Sequence, residues 1–359
     1  MSANSPTSNR KTVFIIGAGA SNEAGLPTGY ELKESIANVL NFEFEMGYRQ
    51  IRGDDRIVDA LRVSVLKPGT INRDISAIAH FLKAARQIHN AMPQASSIDN
   101  FINSHSGNKE IELCGKLAIV RTILEAEAKS HLFVGFEGNQ RLRFDRLDGT
   151  WFQSFLHMIT DNCRSSDLAE RLGSITLIIF NYDRCIEQYL YYAIQNYYEM
   201  SESDVAQLLR GLEIYHPYGT VGTLPWLSHA PPIAYGAKPN SNQLLNLATQ
   251  IRTYTESIDE AEINSVRSQM QTSPTLVFLG FAFHHLNMDL LLPPFATEQA
   301  TLGRHIFATA HRISDSNTKA ISAELEDRTG IIDRNIHVRN TLTCSLLFKE
   351  YSRSLSFRK

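Results

Sequence analysis

Apolar residues are distributed along this chain in two ways. At residues 12–16, 175–180, 212–215, 275–279 and 305–310 they form short unbroken runs, each followed by turn-forming or polar residues. Unbroken apolar runs of that length fit strands covered on both faces, as in a parallel sheet. Between the later runs, residues 184–199 and 316–327 carry apolar positions at helical spacing, so strand and helix alternate. A sixth strand is expected near 335–341, with a helix from Cys344 closing the chain. The predicted fold class is α/β, a Rossmann-like doubly wound parallel sheet.

One region breaks the alternation. From about residue 31 to 171 the pattern is helical, with little strand signal. Residues 74–91 place Ile75, Ile78, Ala79, Leu82, Ala85 and Ile88 on one helical stripe, and residues 111–128 do the same with Leu113, Leu117, Val120, Ile123 and Leu124. The expected organisation is a nucleotide-binding domain of residues 1–30 and 172–359, interrupted by an all-α insertion subdomain at 31–171 that caps the site. Residues 217–243, rich in Pro, Gly, Asn and Ser, read as a long irregular loop, a kind that is usually functional or mobile.

Composition narrows the function classes. With 359 residues, 43% hydrophobic and 20% charged, the chain can bury a large core. A net charge of -3 gives no general attraction to nucleic acid or acidic membranes. No run approaches the ~18 apolar residues of a membrane span, and Met1 to Arg10 is polar, which predicts a cytoplasmic protein. Cys114, Cys163, Cys185 and Cys344 are scattered, with no CxxC pair to seed zinc or disulfides. Lys349, Arg353, Arg358 and Lys359 read as a solvated helix end, Ser97-Ile98-Asp99-Asn100-Phe101 as an N-capped helix start, and some of Tyr189, Tyr191, Tyr192, Tyr197 and Tyr198 as rings packed in the core or at an interface. His284, His285 and Asp289 have metal-like spacing but lack a third convergent ligand, so no metal is expected.

The chemistry gathers at strand ends. The first run leads directly into Gly17-Ala18-Gly19-Ala20-Ser21-Asn22, where glycines permit a sharp turn close to a pyrophosphate and a following helix N-terminus offers N–H groups. Asn22 stands where the usual dinucleotide fingerprint has its third glycine. Asn181 and Asp183 follow the second sheet strand, His216 the third, and Gly280-Phe281 the fourth. Taken singly, each has a structural explanation, as a turn, a cap or a hydrogen-bonding histidine. Together they lie at the carboxyl ends of four strands, where open α/β sheets bind ligands.

These motifs, in this order, resemble the sirtuin (SIR2) family: Gly17-Ala-Gly-Ala-Ser21 with Ala24-Gly25-Leu26-Pro27, then Asn181-Tyr182-Asp183, then Ile214-Tyr215-His216-Pro217, then Gly280-Phe281-Ala282-Phe283. The resemblance covers roughly residues 12–30 and 172–345. Zinc-ribbon cysteines are missing, Thr28-Gly29-Tyr30 replaces a Phe-Arg segment, Phe180 replaces a Gln and Pro217 a Gly, all of which argue against an acetyl-lysine site. The pattern is closer to the SIR2-like NADases of bacterial antiviral defence. That resemblance implies NAD+ as the substrate, Asn181 and His216 as catalytic residues, and Gly17, Ala18, Gly19, Ser21, Asn22, Asp183, Gly280 and Phe281 as dinucleotide-binding positions. Asn181 would hold the attacking water or a ribose hydroxyl, and His216, with a reference pKa near ~6.5, would act as general base. The resemblance further implies a homo-oligomer controlled by assembly or by a partner such as a HerA-type ATPase. The alternatives are a protein deacylase and a silent module that binds NAD or ADP-ribose.

Overall fold

The computed structural model describes residues 11–46, 49–65, 75–135, 141–227, 231–253, 259–293 and 303–357. Met1 to Arg10, Asp74, Arg358 and Lys359 lie outside them. The strands are β1 (Thr12–Ile16), β2 (Glu43–Glu45), β3 (Arg49–Arg52), β4 (Ile175–Ile179), β5 (Glu213–Tyr215), β6 (Thr275–Leu279), β7 (His305–Thr309) and β8 (Ile336–Arg339). The five apolar runs and the segment near 335–341 thus all form strands. They make one parallel sheet in the order β5-β4-β1-β6-β7-β8. Strand β1, the first in the chain, lies in the middle. The chain builds outward on one side through β4 and β5, then crosses back to the other side of β1 at β6. This is the doubly wound arrangement, and it places a switch point between β1 and β6.

The side chains of β1 alternate between two cores. Phe14 and Ile16 enter a cluster with Leu177, Ile179, Val277 and Leu279, covered by helices Trp151–Thr160, Cys185–Tyr198 and Cys344–Glu350. Val13 and Ile15 enter the opposite cluster with Ile178, Leu276, Phe278 and Ile306, covered by Glu260–Thr272, His285–Leu291 and Asp315–Thr329. A period of two along a strand buried on both sides produces this division.

A third core belongs to the insertion. Helix Lys109–Lys129 runs through its middle with Leu117, Ala118, Ile119, Val120 and Leu124 all buried, and it packs against helices Gly29–Val39, Asp55–Val65 and Ala79–Ala91. A helix apolar around its circumference must be buried on all sides. Helix Ser241–Gln250 joins this core, whereas Trp151, Phe152 and Phe155 pack under the sheet. Packing therefore crosses chain order at both ends of the insertion.

Two local differences from the sequence-based expectation have simple causes. The insertion, expected to be all-α, is helical except for a small hairpin of β2 and β3. Its strands are only three and four residues long and mostly polar, too short to show alternation, and Arg52 pairs with Glu43 across them at 3.1 Å. The loop expected at 217–243 ends at Asn240, because Asn240 and Gln243 form a capping box that starts helix Ser241–Gln250. Ser97 caps helix Ile98–Ser104 as anticipated, accepting from the Asn100 N–H at 3.0 Å. Tyr189 and Tyr191 are core residues, while Tyr197 is exposed. Among the described residues no helix is long and apolar enough to cross a membrane.

Insertion, sheet and loop meet at one buried pair. Arg184 follows the β4 turn and is 2% exposed, and Glu127 on helix Lys109–Lys129 is 0% exposed. Arg184 Nε donates to Glu127 Oε1 at 3.0 Å and Nη2 to Oε2 at 2.5 Å. Its remaining N–H groups donate to the carbonyls of Gly222 (3.2 Å), Ile233 (2.6 Å) and Ala234 (3.3 Å), and the Gly236 N–H donates to Glu127 Oε2 at 2.9 Å. Removing one member leaves the other charge desolvated and alone. Glu127→Ala is expected to lose about 3–5 kcal/mol of stability, read as a lowered midpoint in urea unfolding. An unchanged midpoint would show that the pair is dispensable.

Candidate active site

The carboxyl ends of β1, β4 and β6 are level. Ile16 pairs with Ile179 on one side and Leu279 on the other, so Gly17, Phe180 and Gly280 leave the sheet side by side. Ile178 pairs with Tyr215, which brings His216 to the same edge. Register alone therefore gathers the four segments singled out from the sequence.

At the switch point the two glycine turns pack backbone against backbone. The Gly17 N–H donates to the Leu279 carbonyl at 2.9 Å, and the Gly19 N–H to the Gly280 carbonyl at 3.1 Å. A Cβ on Gly17 would stand 2.5 Å from the Gly280 oxygen, and one on Gly280, whose φ is +56°, would stand 2.1 Å from the Ala20 nitrogen. The glycines thus meet a steric demand within the protein, and two N–H groups expected to face a phosphate are already bonded. The helix expected after the turn is also brief: Ala18–Ser21, then a 3₁₀ turn Asn22–Ala24, then Gly25 at φ +91°. Ala18 is half-buried, and Asn22 is exposed with its amide donating to the Leu26 carbonyl at 3.0 Å. Glu23 anchors the turn from below, accepting the Trp151 N–H at 2.7 Å and the Ser345 N–H at 3.0 Å, which caps two helices with one carboxylate. The Trp151 indole also donates to the Ala20 carbonyl at 2.8 Å.

Beside this turn lies a chain of polar side chains. Asn181 is 6% exposed, and its amide nitrogen donates to Ser21 Oγ at 2.9 Å. Its side-chain oxygen is buried without a hydrogen-bond partner. Asp183, also buried, accepts the Cys185 N–H at 3.1 Å and a hydrogen bond from Ser21. Burial lifts the Asp183 carboxyl above its usual range, against the lowering effect of those two bonds. His216 Nε2 lies 2.7 Å from Glu187 Oε1, and Nδ1 lies 3.4 Å from the main-chain carbonyl of Asn181. Burial works against the imidazolium, but the Glu187 carboxylate, the Asn181 carbonyl and Asp183 outweigh it, so His216 titrates above its ordinary value.

Aromatic rings wall the next side. Phe281 is buried and meets Phe180 at 5.2 Å and Phe283 at 5.2 Å between ring centroids. Phe180 meets Tyr218 edge-on at 5.6 Å, and the Tyr218 hydroxyl donates to Asn287 Oδ1 at 2.6 Å. The Tyr182 hydroxyl donates to Asp99 on the insertion, which links that subdomain to the Asn181 loop.

The sites proposed from sequence are therefore neighbours, with Ser21, Asn181, Asp183 and His216 in one bonded group and Gly17, Gly19, Gly280 and Phe281 beside it. Sequence reasoning missed Glu187, although an acidic residue inside the apolar stretch Ile186-Glu-Gln-Tyr-Leu190 needs a partner when buried. His285 lies 3.5 Å from Asp289, which is already bound to Arg328 at 2.8 Å. Among the described residues no three His, Cys, Asp or Glu side chains stand together as a metal site. Cys114, Cys185 and Cys344 are buried free thiols, and burial raises all three. Surface clefts of about 450, 700 and 650 Å³ lie elsewhere, around His157 and Phe348, Lys83 and Arg86, and Arg141 and Tyr192.

No family model matches the chain, and no curated protein matches it. Among solved structures, the chain is similar to a crystal structure of a SIR2 homolog–NAD complex, with 12% identity and a TM-score of 0.41 over 97% of this chain and 91% of that one.

A Gly280→Ala variant is expected to lose about 3 kcal/mol or more, from the positive φ and the backbone clash combined. Thermal unfolding measures this, and a variant as stable as wild type would mean that the two turns are not held in contact.

Proposed function

We propose that this protein is a SIR2-like NAD+ glycohydrolase, which cleaves NAD+ to nicotinamide and ADP-ribose. The observation that carries this reading is the Ser21–Asn181–His216 group at the switch point. Three strand ends deliver it to one place, and the buried side-chain oxygen of Asn181 has no partner. A buried acceptor of that kind is unfavourable unless it serves a ligand hydroxyl or a water.

Breaking the nicotinamide–ribose bond spreads positive charge over the ribose, so the protein's task is to orient the sugar, exclude water from the wrong places and deliver one nucleophile. In this reading the pyrophosphate lies along the Gly17–Asn22 turn. Asn181 holds the attacking water or a ribose hydroxyl through its free oxygen, and His216 takes the proton. Asp183 fixes Ser21 and the start of helix Cys185–Tyr198 in the same stroke. We place Ala18, Asn22 and Phe281 along the dinucleotide, with Phe281 an apolar wall.

The protein's cellular role follows from the cost of unregulated NAD+ loss. We assign it as the NAD-depleting effector of an antiviral defence system, acting as a homo-oligomer and controlled by a partner such as a HerA-type ATPase. Support for this assignment is the motif resemblance.

The deciding experiment is NAD+ turnover by purified protein at several concentrations, without any peptide. Wild type should release nicotinamide and ADP-ribose, and Asn181→Ala and His216→Ala should each lose at least ~10²-fold while remaining folded. Retained turnover in either folded variant overturns the residue roles. Nicotinamide release only with an acylated peptide would instead indicate a deacylase, and tight binding without turnover a regulatory module.

A further inference from the structure

We propose that Glu187 is a positioning residue of this site: its carboxylate fixes the proton on His216 Nε2 and leaves Nδ1 as the nitrogen that exchanges a proton with the nucleophile. The inference rests on the NAD+-cleaving reading above.

Hydrogen-bond inventory sets the tautomer. The Glu187 carboxylate accepts only, so at 2.7 Å the His216 Nε2 must carry the hydrogen. Nδ1 faces another acceptor, the Asn181 main-chain carbonyl, at the longer distance of 3.4 Å. A doubly protonated ring satisfies both contacts. When the ring loses one proton, the longer contact is the weaker one to give up, so Nδ1 becomes the free base.

Its surroundings concentrate that effect on His216. Glu187 is 5% exposed, and among the described residues its second oxygen is buried without a hydrogen-bond partner. The charged groups facing His216 are Glu187 from helix Cys185–Tyr198 and Asp183 from the loop after β4. The neighbouring guanidinium of Arg184 is bound to Glu127 and the loop carbonyls instead. The upward shift of His216 follows from this arrangement.

The step balances as follows. An O–H proton of the attacking water passes to Nδ1, the oxygen lone pair forms the bond to ribose C1′, and the C1′–N bond breaks. Its electron pair stays with nicotinamide, which leaves neutral. The imidazolium formed at His216 is held by Glu187, as the carboxylate of a serine-protease triad holds its histidine. Because a protonated His216 cannot accept, turnover must rise with pH through a value above the ordinary histidine range.

Two measurements test this together: the pH profile of kcat/KM for NAD+, and the titration of the His216 ring by NMR, assigned by its loss in His216→Ala. Wild type should show an acid limb and a ring titration at the same raised pH. In Glu187→Gln, whose amide oxygen can still accept from Nε2, both should move to lower pH, and the plateau of kcat/KM above the acid limb should drop on the order of 10²-fold, because the imidazolium formed in the step loses its carboxylate. A folded Glu187→Gln with the wild-type profile overturns the proposal. If that variant does not fold, the wild-type titration decides: a His216 that titrates at or below its ordinary value overturns the proposal, and a raised one upholds it. Absence of nicotinamide release by wild type would instead remove the NAD+-cleaving reading, and the ring titration would still decide the Glu187–His216 pairing.

Discussion

The buried Arg184–Glu127 pair is the constraint on which the rest of this structure depends. All five N–H groups of the guanidinium find acceptors, two on Glu127 and three on the loop carbonyls of Gly222, Ile233 and Ala234. A desolvated charge is tolerable on those terms and on few others. Because Arg184 directly follows Asn181-Tyr-Asp183, the pair sets where the site loop leaves β4. Because Glu127 belongs to helix Lys109–Lys129, it also ties that helix to the start of helix Cys185–Tyr198 and to Gly236. The carbonyls of Gly222, Ile233 and Ala234 are held by the same guanidinium, while Leu224, Ile233 and Tyr235 anchor their stretches in the cores.

The second organising feature is the contact between the glycine turns after β1 and β6. A glycine-rich turn is commonly read as making room for a phosphate, yet here Gly17 and Gly19 first make room for Gly280. Backbone contact of that kind ties the two halves of a doubly wound sheet together at the point where ligands bind. Glu23 adds to it from the opposite side by capping helices Trp151–Thr160 and Cys344–Glu350. The turn is held from several directions and is rigid in consequence.

The sheet was readable in the sequence because strands buried on both faces appear as continuous apolar runs, which is why β1 and β6 matched residue for residue. The helices at 185–198 and 109–129 were readable by their periodicity. What local pattern could not convey was partnership across the chain. Nothing near Trp151 says that its ring belongs under the sheet rather than with the insertion, since that follows from the fold of the whole. The β2–β3 hairpin is too short and polar to stand out. Asn181 and His216 stood out because they follow strand ends, and the structure places them side by side. Glu187 was overlooked because a carboxylate on a helix is ordinarily a solvated one, and only burial beside His216 gives it meaning.

The position of β1 has a consequence for synthesis. Thr12 stands in register with Ile175 on one side and Thr275 on the other, so the first strand made is flanked by partners that arrive far later. At ribosomal rates of roughly 5–20 residues per second, the Gly17 turn waits on the order of tens of seconds for Gly280 to be made. Until then the switch point lacks one of its walls, and the glycine turn after β1 has no partner turn to pack against. Strand order thus acts as a delay, so that the polar group of Ser21, Asn181, Asp183 and His216 lacks its finished surroundings until most of the sequence exists.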